Sequence, residues 1–234
     1  MSASDRSVPR VGVFGGSFNP IHFGHLLLAD EIREALDLDR MLFVPAAEPP
    51  HKPASELAPA SDRFQMTALA VREHPRFDVS DLELRRRGPS YTVETLAALR
   101  DRGDLYLLIG SETFLDLLNW RDPRQVARLA RLVIVPRNST GFDPEAPAAH
   151  KVLKELGLPG FLHVTGASAG PDAAPAQPAG EARPPAPLLV RAASLPISGS
   201  DLRRRAREGR SLAYRMPAPV AAYIRDHRLY RADA

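Results

Sequence analysis

Two histidines, His22 and His25, close the run Gly15-Gly16-Ser17-Phe18-Asn19-Pro20-Ile21-His22-Phe23-Gly24-His25. An imidazole donates hydrogen bonds to phosphate oxygens. In its charged form it also stabilises negative charge as that charge builds up. The apolar run Val11-Gly12-Val13-Phe14 before it reads as a buried strand. After it, Leu28, Ile32, Ala35 and Leu36 recur at helical spacing and predict a helix over 26–36. The run therefore sits on a strand-to-helix turn. A helix start offers N–H groups without intrahelical partners and a partial positive charge, both of which suit an anion. Gly15 and Gly16 let the backbone approach a ligand with no Cβ in the way. His22 is placed just before the helix and His25 in its first turn, so both rings can face one bound group. A Gly-Gly turn or a lone His is often only structural, but the combination predicts a nucleotide site. The third Gly of the dinucleotide fingerprint is absent, and no Gly-Lys-Ser/Thr follows as in a P-loop.

A second set of residues with phosphate chemistry lies far down the chain. In Pro196-Ile197-Ser198-Gly199-Ser200-Asp201-Leu202-Arg203, two hydroxyls stand at a predicted helix start over 201–208. Arg203 follows one turn later, and its planar fork suits phosphate. Taken alone, this is a capped basic helix. Lys52, in the proline-fixed loop 46–53, is a point charge suited to phosphate or simply a solvated loop charge. Trp120, the only Trp, is a core residue or a flat plate for a ring. Arg85-Arg86-Arg87 reads as a solvated turn.

These residues need a scaffold. Buried strands are predicted at 41–45, 104–110, 132–137 and 188–191, with shorter ones at 77–80 and 161–164; Leu82-Glu83-Leu84 alternates and reads as extending the 77–80 edge. Ser61 is the predicted cap of a helix to about 74, with Phe64, Ala68 and Val71 on one face. Thr92 is the predicted cap of the next helix, with Glu94 in its first turn. Pro123 opens another helix. Helices are expected over 146–156 and around Val220, Tyr223, Ile224 and His227. The alternation of strands and helices predicts an α/β, Rossmann-like fold, with a mainly parallel sheet and helices on both faces.

The chain has 234 residues, 44% of them hydrophobic, enough for one domain with a real core. It has no Cys, which excludes disulfides and thiolate metal sites. Its net charge of +3 is carried mostly by scattered Arg, so nucleic acid is not an expected partner. No apolar run approaches membrane length and the N-terminus has no apolar signal core, which makes a cytoplasmic protein with no membrane contact the default. Residues 1–9 are expected to be a flexible N-terminus. Residues 165–187, rich in Pro, Ala and Gly, are expected to form a disordered insertion.

His22-x-Gly24-His25 after Gly-Gly-Ser-Phe-Asn-Pro resembles the signature of the HxGH nucleotidyltransferases. The longer form resembles that of the bacterial nicotinate-nucleotide adenylyltransferases, as do Pro49-Pro50-His51-Lys52, Tyr91-Thr92, Trp120, Ile197-Ser198 through Arg203, and the tail from Gly209 to Tyr230. The resemblance implies transfer of AMP from ATP to nicotinate mononucleotide, with Mg²⁺ accompanying ATP and no metal site of the protein's own. It assigns catalysis to His22, His25 and Arg203. ATP would be bound by Gly15, Gly16, Ser17, Phe18, His22, His25, Ser198, Ser200 and Arg203. The mononucleotide would be bound by Asn19, Lys52, Tyr91, Thr92, Glu112 and Trp120. Two positions depart from the pattern: Glu112 stands where the family usually has Asp, and Gly199 where it usually has a second Ser. A phosphopantetheine-type adenylyltransferase and a non-catalytic nucleotide-binding protein remain the alternatives, and a homo-oligomer is left open.

Overall fold

The computed structural model describes residues 8–50, 52–136, 141–164, 184–193 and 195–231. Its strands are β1 (Arg10–Gly16), β2 (Arg40–Pro45), β3 (Phe77–Val79), β4 (Asp104–Gly110), β5 (Arg131–Val135), β6 (Leu162–Val164) and β7 (Leu188–Val190). Its helices are α1 (Phe23–Ala35), α2 (Ala60–Val71), α3 (Leu82–Arg85), α4 (Thr92–Leu99), α5 (Ser111–Leu115), α6 (Pro123–Leu129), α7 (Pro147–Leu156), α8 (Gly199–Arg207) and α9 (Ala218–Asp226). The strands form a seven-stranded sheet in the order β3-β2-β1-β4-β5-β7-β6. This is the α/β, Rossmann-like architecture expected from the sequence.

The chain divides into two compact units. The first comprises Met1–Gly15, Asp30–Met41 and Tyr91–Ala192. In it, β1 runs parallel to β4, β4 to β5, and β7 to both β5 and β6. Leu107 stands opposite Val13 on one side and Leu132 on the other. Every residue of β5, and every residue of β4 from Leu105 to Ile109, is buried. Neighbouring residues of a strand point to opposite faces, so both faces of these strands are covered, and their apolar runs follow from that. Helix α4 packs on α6, and α5 on α7. Helix α7 has Pro147 in its first turn and stops at Gly157, in the left-handed region at φ 66°. Phe114, Phe142 and Phe161 meet edge to face, with centroids 5.3–6.3 Å apart. Arg131, 3% exposed, donates from Nε to the carbonyl of Ala186 at 3.0 Å. Pro184 and Pro187 are buried beside it in sequence, leading into β7.

The second unit comprises Gly16–Ala29, Leu42–Ser90 and Ala193–Ala234. Helix α9 packs on α2 and buries Val220 and Ile224. The Tyr223 hydroxyl donates to the Asp62 carboxylate at 2.8 Å. Loss of solvent, then the bond to Asp62 and its charge, push that phenol up to about 12.

Three local expectations are corrected. Helix α2 starts at Ala60 with Pro59 at the cap position, so Ser61 lies inside the helix. Its buried face is Arg63, Met66, Thr67 and Val71, with Phe64 and Ala68 only half-buried. Leu82–Arg85 is a short helix, not a strand extension; Ser80 Oγ accepts the Leu82 N–H at 3.2 Å and turns the chain out of β3. Thr92 is the first residue of α4, with Tyr91 at the cap position in extended backbone. The expectations for residues 1–7 and 165–183 lie outside the described residues.

Candidate active site

His22 ends the turn after β1 and His25 lies in the first turn of α1, as the spacing predicts. Their rings stack at 3.8 Å between centroids, 24° from parallel. His25 Nδ1 accepts the backbone N–H of His22 at 3.3 Å, which makes Nε2 the nitrogen that carries the hydrogen in a neutral ring. Phe18 meets the His25 ring edge-on at 5.2 Å. His22 is buried, 7% exposed, and His25 is half-buried.

Gly24 of His-x-Gly-His has a steric reason. A Cβ there would stand 3.0 Å from His22 Nδ1 and 3.1 Å from its Cε1. Gly24→Ala is expected to shift the His22 ring by a fraction of an ångström and lower kcat by about tenfold, less than the roughly 100-fold cost of a 1 Å misplacement. Helical circular dichroism should stay unchanged, because Ala favours a helix. A kcat equal to the parent's would show that the His22 position does not matter.

The turn itself is held from three directions. Lys52 Nζ donates to Ser17 Oγ at 2.8 Å. Arg203 donates to the Asn19 carbonyl at 2.9 Å, bringing the second motif onto the first. The Asn19 amide donates to the Glu56 carbonyl at 2.9 Å. Its Oδ1 accepts the Ala58 N–H at 3.1 Å and the Tyr230 hydroxyl at 2.8 Å. Both acceptor lone pairs of Asn19 are thus engaged within the protein. Phe18, 3% exposed, takes a left-handed φ of 42°, and the Asn19–Pro20 bond is cis. Gly15 is exposed and Gly16 half-buried at the end of β1.

Arg63 is the residue that sequence reasoning missed. It is 1% exposed. It donates to the carbonyls of Ser17 and Ala47 at 2.9 Å each, of Ala58 at 2.9 Å, and of Ala46. One guanidinium therefore fixes the histidine-bearing turn against the loop that carries Lys52. Burial holds its pKa below the ordinary Arg value. The available signal was its spacing with Thr67 and Val71, which puts an Arg on a buried helix face.

Partial desolvation, then the guanidiniums of Arg203 and Arg63, push the Lys52 ammonium below the usual Lys value, with Glu56 opposing. Burial raises the Tyr230 phenol, so it stays a neutral donor to Asn19. At the start of α8, Ser198 Oγ accepts the Asp201 N–H at 3.2 Å and lies 3.2 Å from Ser200 Oγ. At Gly199 a Cβ would stand 3.0 Å from the Asn19 carbonyl and 3.3 Å from the Arg203 guanidinium, so a side chain there would press on both. The second unit thus gathers Ser17, Phe18, Asn19, His22, His25, Lys52, Ser198, Ser200 and Arg203.

The other expected mononucleotide residues lie in the first unit. Tyr91 and Thr92 open α4, Glu112 is exposed in the first turn of α5, and Trp120 is half-buried after a 3-10 turn at Leu117–Asn119. Arg121, which the sequence reading did not single out, lies over the Tyr91 ring at 4.6 Å and pairs with Glu94 at 3.2 Å.

A Rossmann-like sheet with a stacked histidine pair at the first strand-to-helix turn, joined by a distant Arg, defines a nucleotidyltransferase. The family profile described as cytidylyltransferase-like matches residues 13–205. A protein of Thermus thermophilus called "probable nicotinate-nucleotide adenylyltransferase" is 41% identical over 95% of this chain and 100% of its own. One of a Roseiflexus species with the same name is 38% identical over 94% of this chain and 98% of its own. The chain belongs to the nicotinate-nucleotide adenylyltransferases, within the cytidylyltransferase-like family. Among solved structures, the Plasmodium falciparum nicotinic acid mononucleotide adenylyltransferase complexed with NaAD shares its fold, with a TM-score of 0.66, 17% identity, and 95% of this chain and 97% of that one covered.

Proposed function

We propose that this chain joins ATP and nicotinate mononucleotide into nicotinate adenine dinucleotide and pyrophosphate, with the residues of the histidine turn as its catalytic centre. The observation that carries the reading is the convergence on residues 17–25 of the stacked His22–His25 pair, Lys52 through Ser17, and Arg203 through Asn19.

A phosphate oxygen of the mononucleotide attacks the α-phosphorus of ATP. The bond from that phosphorus to the bridging oxygen breaks, and pyrophosphate leaves with the electron pair. No protein nucleophile is needed, so catalysis is positioning plus stabilisation of charge. His22 and His25 donate to the α-phosphoryl oxygens. Arg203, Ser200 and the N–H groups at the start of α8 hold the departing pyrophosphate. The Ser198 hydroxyl caps its helix through a lone pair and lies within hydrogen-bond reach of the Ser200 hydroxyl. Lys52 holds the mononucleotide phosphate, while Tyr91, Thr92 and Trp120 frame its ring. Asn19 acts by holding the turn. Glu112, in the first turn of α5, is left to the mononucleotide's sugar side.

Magnesium enters as part of the substrate, neutralising charge on the triphosphate. Among the described residues no three His, Asp or Glu side chains gather into a group that could hold a metal. The groups of the histidine turn are cationic or neutral, which suits phosphate oxygens. No helix of the described residues is long and apolar enough to cross a membrane. Its use of ATP as a substrate fits a reaction in the cytoplasm.

The test is pyrophosphate release from ATP and Mg²⁺ with three acceptors. Rapid release is expected with nicotinate mononucleotide and much less with nicotinamide mononucleotide. Release only with phosphopantetheine would assign a different acceptor. ATP binding with no release from any of them would make the protein a binding module.

A further inference from the structure

We propose that Arg121 selects the acid form of the pyridine substrate by exchanging its bond to Glu94 for one to the substrate carboxylate. This rests on the reading given under Proposed function and names the group that sets its specificity.

Arg121 follows Trp120 directly, and its guanidinium lies 4.6 Å from the centre of the Tyr91 ring. A cation over an aromatic face is attracted by the ring's negative face, which favours this placement of the guanidinium. Asp122, next in the chain, is held in the left-handed region at φ 46° while its carboxylate caps α6 by accepting the Gln125 N–H at 3.2 Å. The backbone on which Arg121 sits is therefore pinned. Arg121 thus joins the two aromatic residues expected at the pyridine ring.

Its present partner is a carboxylate, Glu94, at 3.2 Å. The side chains are 59% and 37% exposed. An exposed ion pair of this kind contributes little, because water and salt compete with it. A second carboxylate brought in on a bound ring can displace it at small cost, and the planar guanidinium can take that carboxylate through two parallel N–H bonds. A carboxamide has no charge and cannot displace Glu94. The Arg121–Glu94 pair thereby turns a one-atom difference between substrates into a difference in binding.

Trp120 is the only Trp, so its fluorescence reports mononucleotide binding without turnover. Titrations with nicotinate and nicotinamide mononucleotide are compared for the parent protein, Arg121→Gln, Arg121→Lys and Glu94→Gln, alongside pyrophosphate release. Arg121→Gln is expected to raise the Kd and KM for the nicotinate compound roughly tenfold, the size of one lost charge-assisted bond, with kcat and the nicotinamide Kd unchanged. Arg121→Lys should recover part of the loss, and Glu94→Gln should tighten the nicotinate compound. An acid-to-amide ratio unmoved by Arg121→Gln, or both compounds weakened equally, would overturn the proposal while leaving the reaction standing. No release by the parent protein with either pyridine compound would overturn the reaction itself, and this proposal with it.

Discussion

Replacing His25 by Ala lowers kcat by about 1000-fold and leaves the fold intact; that is the expected result of the first variant to make. The size follows from removing one preorganised donor to a developing phosphoryl charge, which costs about 100- to 1000-fold. The intact fold follows from its setting. His25 lies in the first turn of α1 and is only half-buried, and Ala is the best helix former. Its ring contacts with His22 and Phe18 are lost, and the His22 N–H loses its acceptor at the first turn of the helix. The KM for both substrates should change far less than kcat. Single-turnover measurement of pyrophosphate release, beside the thermal melt, separates the two effects. A kcat within threefold of the parent's would remove His25 from the catalytic centre.

Arg63→Met is the second large effect, and it falls on stability. Met matches the length of the Arg stem but donates nothing. Four carbonyls, of Ser17, Ala46, Ala47 and Ala58, lose their donor in a place where Arg63 is 1% exposed. Buried polar groups left without partners, in a network built on one charge, cost about 3–5 kcal/mol. Urea denaturation should show that loss as a lower midpoint. Because the same guanidinium fixes Ser17, to which Lys52 bonds, binding of the mononucleotide should weaken even where the protein remains folded. An unchanged midpoint would mean that the carbonyls find other donors.

The parts of the fold legible in the sequence are those whose signal is local. The β4 run Leu105–Ile109 is apolar throughout because both faces of the strand are covered, and that reads directly. The histidine turn reads because its glycines, its proline and its helix start lie within a dozen residues. The second motif also reads as hydroxyls at a helix start, although α8 begins at Gly199, two residues before the expected 201, with Ser198 as its cap. What did not read depends on partners far away in sequence. The spacing of Arg63 with Thr67 and Val71 hints at a buried face, but its role shows only with the carbonyls around it, which come from the turn after β1 and the connection from β2 to α2. Leu82-Glu83-Leu84 alternates like a strand, yet it has too few residues to decide, and the Ser80 turn settles it as a helix. Caps at α2 and α4 were misplaced by one or two residues, since the residues at the cap positions, Pro59 and Tyr91, make no side-chain bond to mark them. Arg121 gave no signal because its ring partner lies thirty residues upstream.

The bond from the Tyr230 hydroxyl to Asn19 spans 211 residues of chain. During synthesis the histidine motif is made early, but its turn must wait for residue 230 before its last fastening arrives. A nascent chain therefore carries the chemical groups without the frame that aims them. The ribosome delivers the two histidines first and the bond that fastens their turn last.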